Sequence, residues 1–222
     1  MLSVLFRILV VLAAIPLLAT LAYRWIDPPV TPLMVMRWFD GAAIDHRPVA
    51  LAAVAPALPR AVIASEDNRF CAHHGIDFAA VQDALDEHEE TGRLRGASTI
   101  TMQVARNLFL WPGGGWFRKA LEAPLALWID ATWPKRRVME VYLGIAEWGD
   151  GIFGAEAAAR RHFDKPAARL SRTEAARLAA VLPNPRRWSA GQPTAYIQRR
   201  TGTIDRRSDQ VGAEAVACLK QG

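Results

Sequence analysis

The sequence predicts a mainly α fold. Three observations carry that expectation. Apolar residues recur at i, i+4 spacing, capping residues stand just ahead of those runs, and no convincing apolar/polar alternation marks a strand. There is no internal repeat. The 222 residues suit one globular domain with a short appendage, or two very small domains. Hydrophobic residues make up 51% and charged residues 22%, enough for a sizeable core and unlike a disordered chain.

The first element is an uncharged run from Ile8 to Tyr23, bracketed by Arg7 and Arg24. As a helix it rises roughly 24 Å, slightly short of a bilayer core, and both arginines can snorkel outward. Pro16 is tolerable in a membrane helix. A cleaved signal peptide is the main rival, but no short polar stretch precedes a clear cleavage site. An uncleaved anchor over residues 1–24 is therefore expected. One arginine on each side leaves its orientation open. Asp27-Pro-Pro-Val-Thr-Pro32 reads as an extended linker. Residues 25–57 are expected to form a linker and membrane-proximal segment. Trp25 and Trp38 are candidates for a lipid interface, although Trp38 equally suits a core.

From about Pro59 to Pro183 the pattern is helical. Asp77 can cap a helix carrying Phe78, Val81 and Leu85 on one face and ending near Gly92. Ser98 or Thr99 can cap the next, with Ile100, Val104 and Leu108 in register. Phe117, Leu121, Leu125 and Trp128 mark a third; Val138, Val141 and Tyr142 a fourth. Gly154 to Phe163 is Ala-rich. Ser171-Arg-Thr-Glu174 is a capping box, and Pro183-Asn-Pro185 stops the helix it starts. The globular domain is placed at 58–200, and the basic polar tail, 201–222, is expected to be marginally ordered.

Net charge is +5 with a pI near 9.7, which favours an anionic partner: nucleic acid, anionic lipid or a phosphorylated substrate. No zinc-finger spacing or aromatic/glycine RNA-binding motif appears, so nucleic acid is not expected. Cys71 and Cys218 form no disulfide framework and no metal pattern, and two unpaired thiols is the reading with most weight.

Two segments concentrate polar chemistry: Glu66 to Asp77, EDNRFCAHHGID, and Ser98 to Gln103, STITMQ. An Asp/Glu pair is usually a solvated helix end. Beside Phe70, however, burial would raise a carboxyl pKa toward the range useful for proton transfer. His73 and His74 sit beside a glycine, where a turn role is the ordinary one. The spacing is not the metal-binding His-Glu-x-x-His helix, so no metal site is assigned. Arg118-Lys119-Ala-Leu-Glu122 reads either as an ordinary helical face with i, i+4 and i, i+3 ion pairs, or as a second carboxylate held among cations. Two such carboxylates suit glycosyl transfer.

In this order the motifs resemble the peptidoglycan glycosyltransferases of family 51. Glu66-Asp-x-x-Phe70-x-x-His73-x-Gly75-x-Asp77 is similar to the first signature. Gly96-Ala-Ser-Thr-Ile-Thr-Met-Gln103 is similar to the second, and Arg118-Lys119-x-x-Glu122 to the third. Arg136/Arg137-Val-Met-Glu140-x-Tyr142-Leu143 is similar to the fourth. Glu147-x-Gly149-x-Gly151-x-x-Gly154, Phe163-x-Lys165 and Leu182-Pro-Asn-Pro185 resemble the carboxyl half. The resemblance spans about 58–188. It implies a lysozyme-like glycosyltransferase domain preceded by one N-terminal transmembrane helix, in the bacterial inner membrane, with the amino terminus cytoplasmic and the catalytic domain periplasmic.

The implied activity is polymerisation of lipid II into β-1,4-linked glycan strands with release of undecaprenyl pyrophosphate, without a transpeptidase activity. Glu66 and Glu122 are the implied catalytic residues. Asp67, Phe70, His73, Ser98, Thr99 and Gln103 are implied to line the substrate cleft. Arg106, Arg118 and Lys119 are implied to hold the phosphates. No cofactor is required, with a divalent Mg or Mn ion as an optional companion. Expected partners are lipid II, the undecaprenyl-pyrophosphate-linked glycan, membrane lipid and other cell-wall synthases. A lytic enzyme on the same substrate class and a catalytically weak cell-wall scaffold are the alternatives. The pattern departs at Ala97 for a glycine, Met102 for a glutamine, Arg106 for a lysine and Gly114 for an arginine implied to meet pyrophosphate. Pro124, inside the third helix, is expected to kink or delay it.

Overall fold

The computed structural model describes residues 2–92 and 96–220. Met1 of the expected anchor and residues 221–222 of the expected tail lie outside the described residues. The chain is mainly helical: α1 (Leu2–Tyr23), α2 (Pro32–Phe39), α3 (Ala57–Glu66), α4 (Phe78–Thr91) and α5 (Ile100–Phe109) precede α6 (Gly115–Thr132) and α7 (Lys135–Ile145). Then come α8 (Ala155–Phe163), α9 (Arg172–Val181) and α10 (Ala195–Gln210). The core forms where α3 meets α9 and α10, and where α5 meets α6 and α7. Leu58, Ile63, Ile100, Met139, Leu143 and Leu178 are among its fully buried side chains.

Local chemistry sets the element boundaries. Asp77 caps α4 by accepting from Ala80 N at 3.0 Å, and Gly92 closes it at φ 69°. Thr99, rather than Ser98, caps α5 through Met102 N at 3.1 Å. Ser171 and Glu174 form the reciprocal capping box of α9. Pro124 does not end α6, which continues through it.

Several expectations fail. A small sheet exists, with order β1-β3-β2: β1 (Asp45–His46) runs parallel to β3 (Ile152–Phe153), and β2 (Glu147–Gly149) is antiparallel to β3. Strands of two or three residues are too short to show alternation. Within residues 25–57, the expected linker and membrane-proximal segment, the chain forms the helix α2 directly after the Asp27–Pro32 stretch. Thr31 caps α2, and the buried Arg37 joins α2 to Asp40, Asp150 and, at 3.3 Å, Glu147. The segment after Thr201 is not marginal. α10 runs through it, burying Ile197, Thr201, Ile204 and Ser208 on one stripe against α9 and α3. Half of that stripe is hydroxylic, so its period is hidden among basic residues. Finally, Cys71 and Cys218 are joined in a disulfide across a sequence separation of 147, so neither is a free thiol.

Two helices turn differently from their apolar pattern. In α4, Phe78 is 68% exposed and only Ala84 is buried. In α6, Glu122, Ala126 and Ile129 face inward while Phe117 is 55% exposed. The inward face of α6 therefore carries the carboxylate, and an apolar face looks outward.

The carboxyl end of α1 is fastened to the domain. Trp133 Nε1 donates to Thr20 O at 2.8 Å, Arg137 Nε to Tyr23 O at 3.0 Å, and Arg24 reaches Thr132 O. Among the described residues no helix is long and apolar enough to cross a membrane.

Candidate active site

Glu66 is the last residue of α3 and is half-buried. Gln103 Nε2, from α5, donates to Glu66 Oε2 at 3.1 Å. The amide is itself oriented: Tyr142 OH, from α7, donates to Gln103 Oε1 at 3.2 Å. Burial pushes the Glu66 carboxyl above its ordinary value, while Gln103, Arg200 and Arg106 pull it back. A carboxylate raised in this way is a stronger base.

Asp67, next in the chain, faces the other way. It is 7% exposed, accepts from the first α5 amide, Ile100 N, at 2.9 Å, and meets His73 Nε2 at 3.0 Å. Thr99 Oγ1 donates to Gly75 O at 2.6 Å. Gly75, at φ 77°, packs so closely on α6 that a Cβ would come within 2.7 Å of Ala126 O. These contacts clamp the two polar segments together. Asp67, His73 and Thr99 therefore brace the turn behind Glu66, while Asp67 and Thr99 also line the pocket that Glu66 borders. Phe70 is fully buried, with the Lys135 ammonium 4.8 Å above its ring, and has no surface to offer a ligand.

The second carboxylate belongs to a cationic cluster. Glu122 is 1% exposed and paired with Arg118 and, at 3.0 Å, Lys119. Lys119 also donates to Ser98, and Arg118 to Gly113 O. Glu122 thus aims two cations; it is a positioning residue rather than one open to substrate. Burial, with Arg106 and Arg118 nearby, lowers the Lys119 ammonium to about 8.

Arg106 connects the halves. It is half-buried, makes no ion pair among the described residues, and its charge acts on Glu66, Arg118 and Lys119 alike. Glu66 and Ser98 line a pocket of about 190 Å³ whose other walls include Asp77, Asp83 and Glu87. Arg106 and Arg118 line a second, of about 250 Å³, walled by Leu33, Met36 and Trp111. One pocket is acidic, the other basic with an apolar side.

The departures have structural accounts. Met102 is 7% exposed and packs in the core, so no polar group is missing from the site. Ala97 keeps a negative φ, since Asp164 is the non-glycine with positive φ among the described residues. Gly113, Gly114 and Gly115 all adopt positive φ. A Cβ at Gly114 would meet Trp111 Nε1 at 3.0 Å and Arg118 Cβ at 3.1 Å, so this loop cannot carry an arginine there unchanged. Sequence reasoning left out Tyr142, although its motif was in view, and Arg200, which reaches Glu66 only because α10 packs on α3.

Comparison with known proteins agrees with this geometry. A family model described as Transglycosylase matches residues 34–208, and the chain belongs to that family. It is 60% identical over 215 residues to a biosynthetic peptidoglycan transglycosylase of Rhodospirillum centenum, covering 95% of this chain and 93% of the relative. A protein of the same name from Caulobacter vibrioides is 46% identical, with 97% and 94% covered. One from Xanthomonas campestris is 50% identical, with 90% and 84% covered.

Proposed function

We propose that the chain is an inverting peptidoglycan glycosyltransferase that polymerises lipid II. The observation that carries this reading is a half-buried carboxylate with a raised proton affinity, Glu66, within electrostatic reach of Arg106, whose charge also acts on Arg118 and Lys119. Glu66 takes the proton of the acceptor's 4-hydroxyl. That oxygen attacks the donor's anomeric carbon and forms the β-1,4 bond. The bond from that carbon to pyrophosphate breaks, and its electron pair leaves on undecaprenyl pyrophosphate. Arg106, Arg118 and Lys119 stabilise the departing charge through charge-assisted hydrogen bonds. Glu66 then releases its proton to solvent.

A divalent ion does not suit Glu122, whose oxygens already face Arg118 and Lys119. Mg or Mn fits this reaction only as a companion of the pyrophosphate, and no cofactor is required.

The same reading puts the protein in the bacterial inner membrane, with α1 as anchor, its amino terminus cytoplasmic and the catalytic domain periplasmic. Trp116, 82% exposed, and Phe39, 76% exposed, suit contact with lipid, as do Trp38 and Phe117. The Cys71–Cys218 disulfide suits an oxidising compartment such as the periplasm. Other cell-wall synthases are proposed partners.

The deciding assay gives purified chain lipid II and, separately, finished peptidoglycan. Wild type is expected to lengthen glycan from lipid II, and Glu66→Gln to lose roughly 10²–10⁴-fold in rate while keeping its fold. Release of fragments from finished peptidoglycan without chain growth would instead establish a lytic enzyme. Equal background rates for wild type and Glu66→Gln would leave a scaffold.

A further inference from the structure

The basic pocket holds one guanidinium that no motif assigns. Arg186 stands on the turn after α9 and lines the pocket with Arg106 and Arg118. Its base is held firmly. Asn184 N bonds to Val181 O at 3.0 Å and Arg187 N to Asn184 O at 3.1 Å, and Pro183 and Pro185 restrict the backbone before it. The side chain is exposed and forms no ion pair among the described residues.

The carboxylates in the pocket wall do not neutralise it. Asp40 and Glu147 are both engaged by Arg37. Arg118 is matched by Glu122. Arg106, which feels the Glu66 charge, and Arg186 form no ion pair among the described residues and stand beside Leu33, Met36 and Trp111. A pocket lined by two guanidiniums without ion-pair partners and by an apolar wall fits a ligand that joins a diphosphate to a hydrocarbon chain.

We propose that Arg186 is a substrate-binding residue that grips the diphosphate of the lipid-linked donor together with Arg106. This rests on the polymerase reading and adds a residue to it. Because Arg186 comes from the turn after α9 rather than from α5 or α6, it closes the pocket from a third part of the fold.

The test measures lipid II polymerisation in neutral detergent micelles for wild type, Arg186→Ala, Arg186→Lys and Arg187→Ala. Inorganic pyrophosphate binding is followed in parallel by calorimetry. Arg186→Ala is expected to raise KM roughly five- to tenfold with kcat nearly unchanged, and to weaken pyrophosphate binding by a similar factor. Arg186→Lys should recover part of the loss, since charge survives but the fork does not. Arg187→Ala, on the neighbouring exposed cation, should behave as wild type. An unchanged KM and pyrophosphate affinity in Arg186→Ala would overturn the proposal, as would an equal loss in Arg187→Ala. So would reduced binding to phosphatidylglycerol vesicles with the micellar KM unaltered, which would make Arg186 a membrane-surface contact. A wild type that extends no glycan sinks the polymerase reading instead, and the calorimetry still decides whether Arg186 binds a diphosphate.

Discussion

Glu66 closes a helix, and the carboxyl end of a helix is an unfavourable place for a negative charge. Burial adds to that effect, so proton affinity rises where a base needs it. The active form is the ionised one, so activity is expected to fall as pH drops through the raised Glu66 value. Lys119 acts oppositely. It is charged below about 8 and neutral above, so its grip on phosphate fades as pH rises through that value. The pH profile of kcat/KM should therefore be bell-shaped, with an alkaline limb near 8. Lys119→Arg should move that limb upward, because a guanidinium stays charged; a limb that stays in place would assign it elsewhere. Tyr142 is a positioning residue. Tyr142→Phe leaves Gln103 free to flip and is expected to lower kcat about fivefold with KM held, as one neutral hydrogen bond suggests.

At the scale of elements, the two polar segments serve as much to join helices as to meet substrate. Asp67 satisfies an amide that the start of α5 would otherwise leave open, and Thr99 ties that start to the Gly75 turn. Asp67→Ala is expected to cost about 2–3 kcal/mol in urea unfolding, because Ile100 N and His73 both lose their partner in a buried place. A loss under about 0.5 kcal/mol would mean that water replaces the carboxylate. On α6 the inward Glu122 and outward Phe117 explain why the apolar pattern misled. Spacing reports a periodic stripe, but not whether the stripe meets protein or another apolar phase. Replacing Trp116 and Phe117 by glutamate should weaken binding to lipid vesicles without lowering the melting temperature, a combination that core residues would not give.

At the scale of the molecule, the disulfide ties the carboxyl-terminal segment to the loop that follows Glu66 and Asp67. Closing so long a loop restricts the unfolded chain. Cys218→Ser is expected to lose about 2–4 kcal/mol of stability, and a reductant should impose the same loss on wild type but none on the variant. Equal melting of oxidised and reduced wild type would contradict this. α10 belongs to the same closure, since it packs on α3 and brings Arg200 within electrostatic reach of Glu66.

Helix positions, their caps at Asp77, Thr99 and Ser171, and the ion pairs of Glu122 with Arg118 and Lys119 were legible in the sequence, because each depends on residues within a few positions of one another. The motif order likewise pointed to the transglycosylase family. The disulfide across 147 residues, the ordering of α10, the Tyr142–Gln103–Glu66 chain and the place of Arg186 were not legible. Those depend on which faces meet after folding. Local pattern determines that a helix forms and where it stops; only packing decides whether a buried side chain such as Asp67 supports the site or an exposed one such as Arg186 faces it.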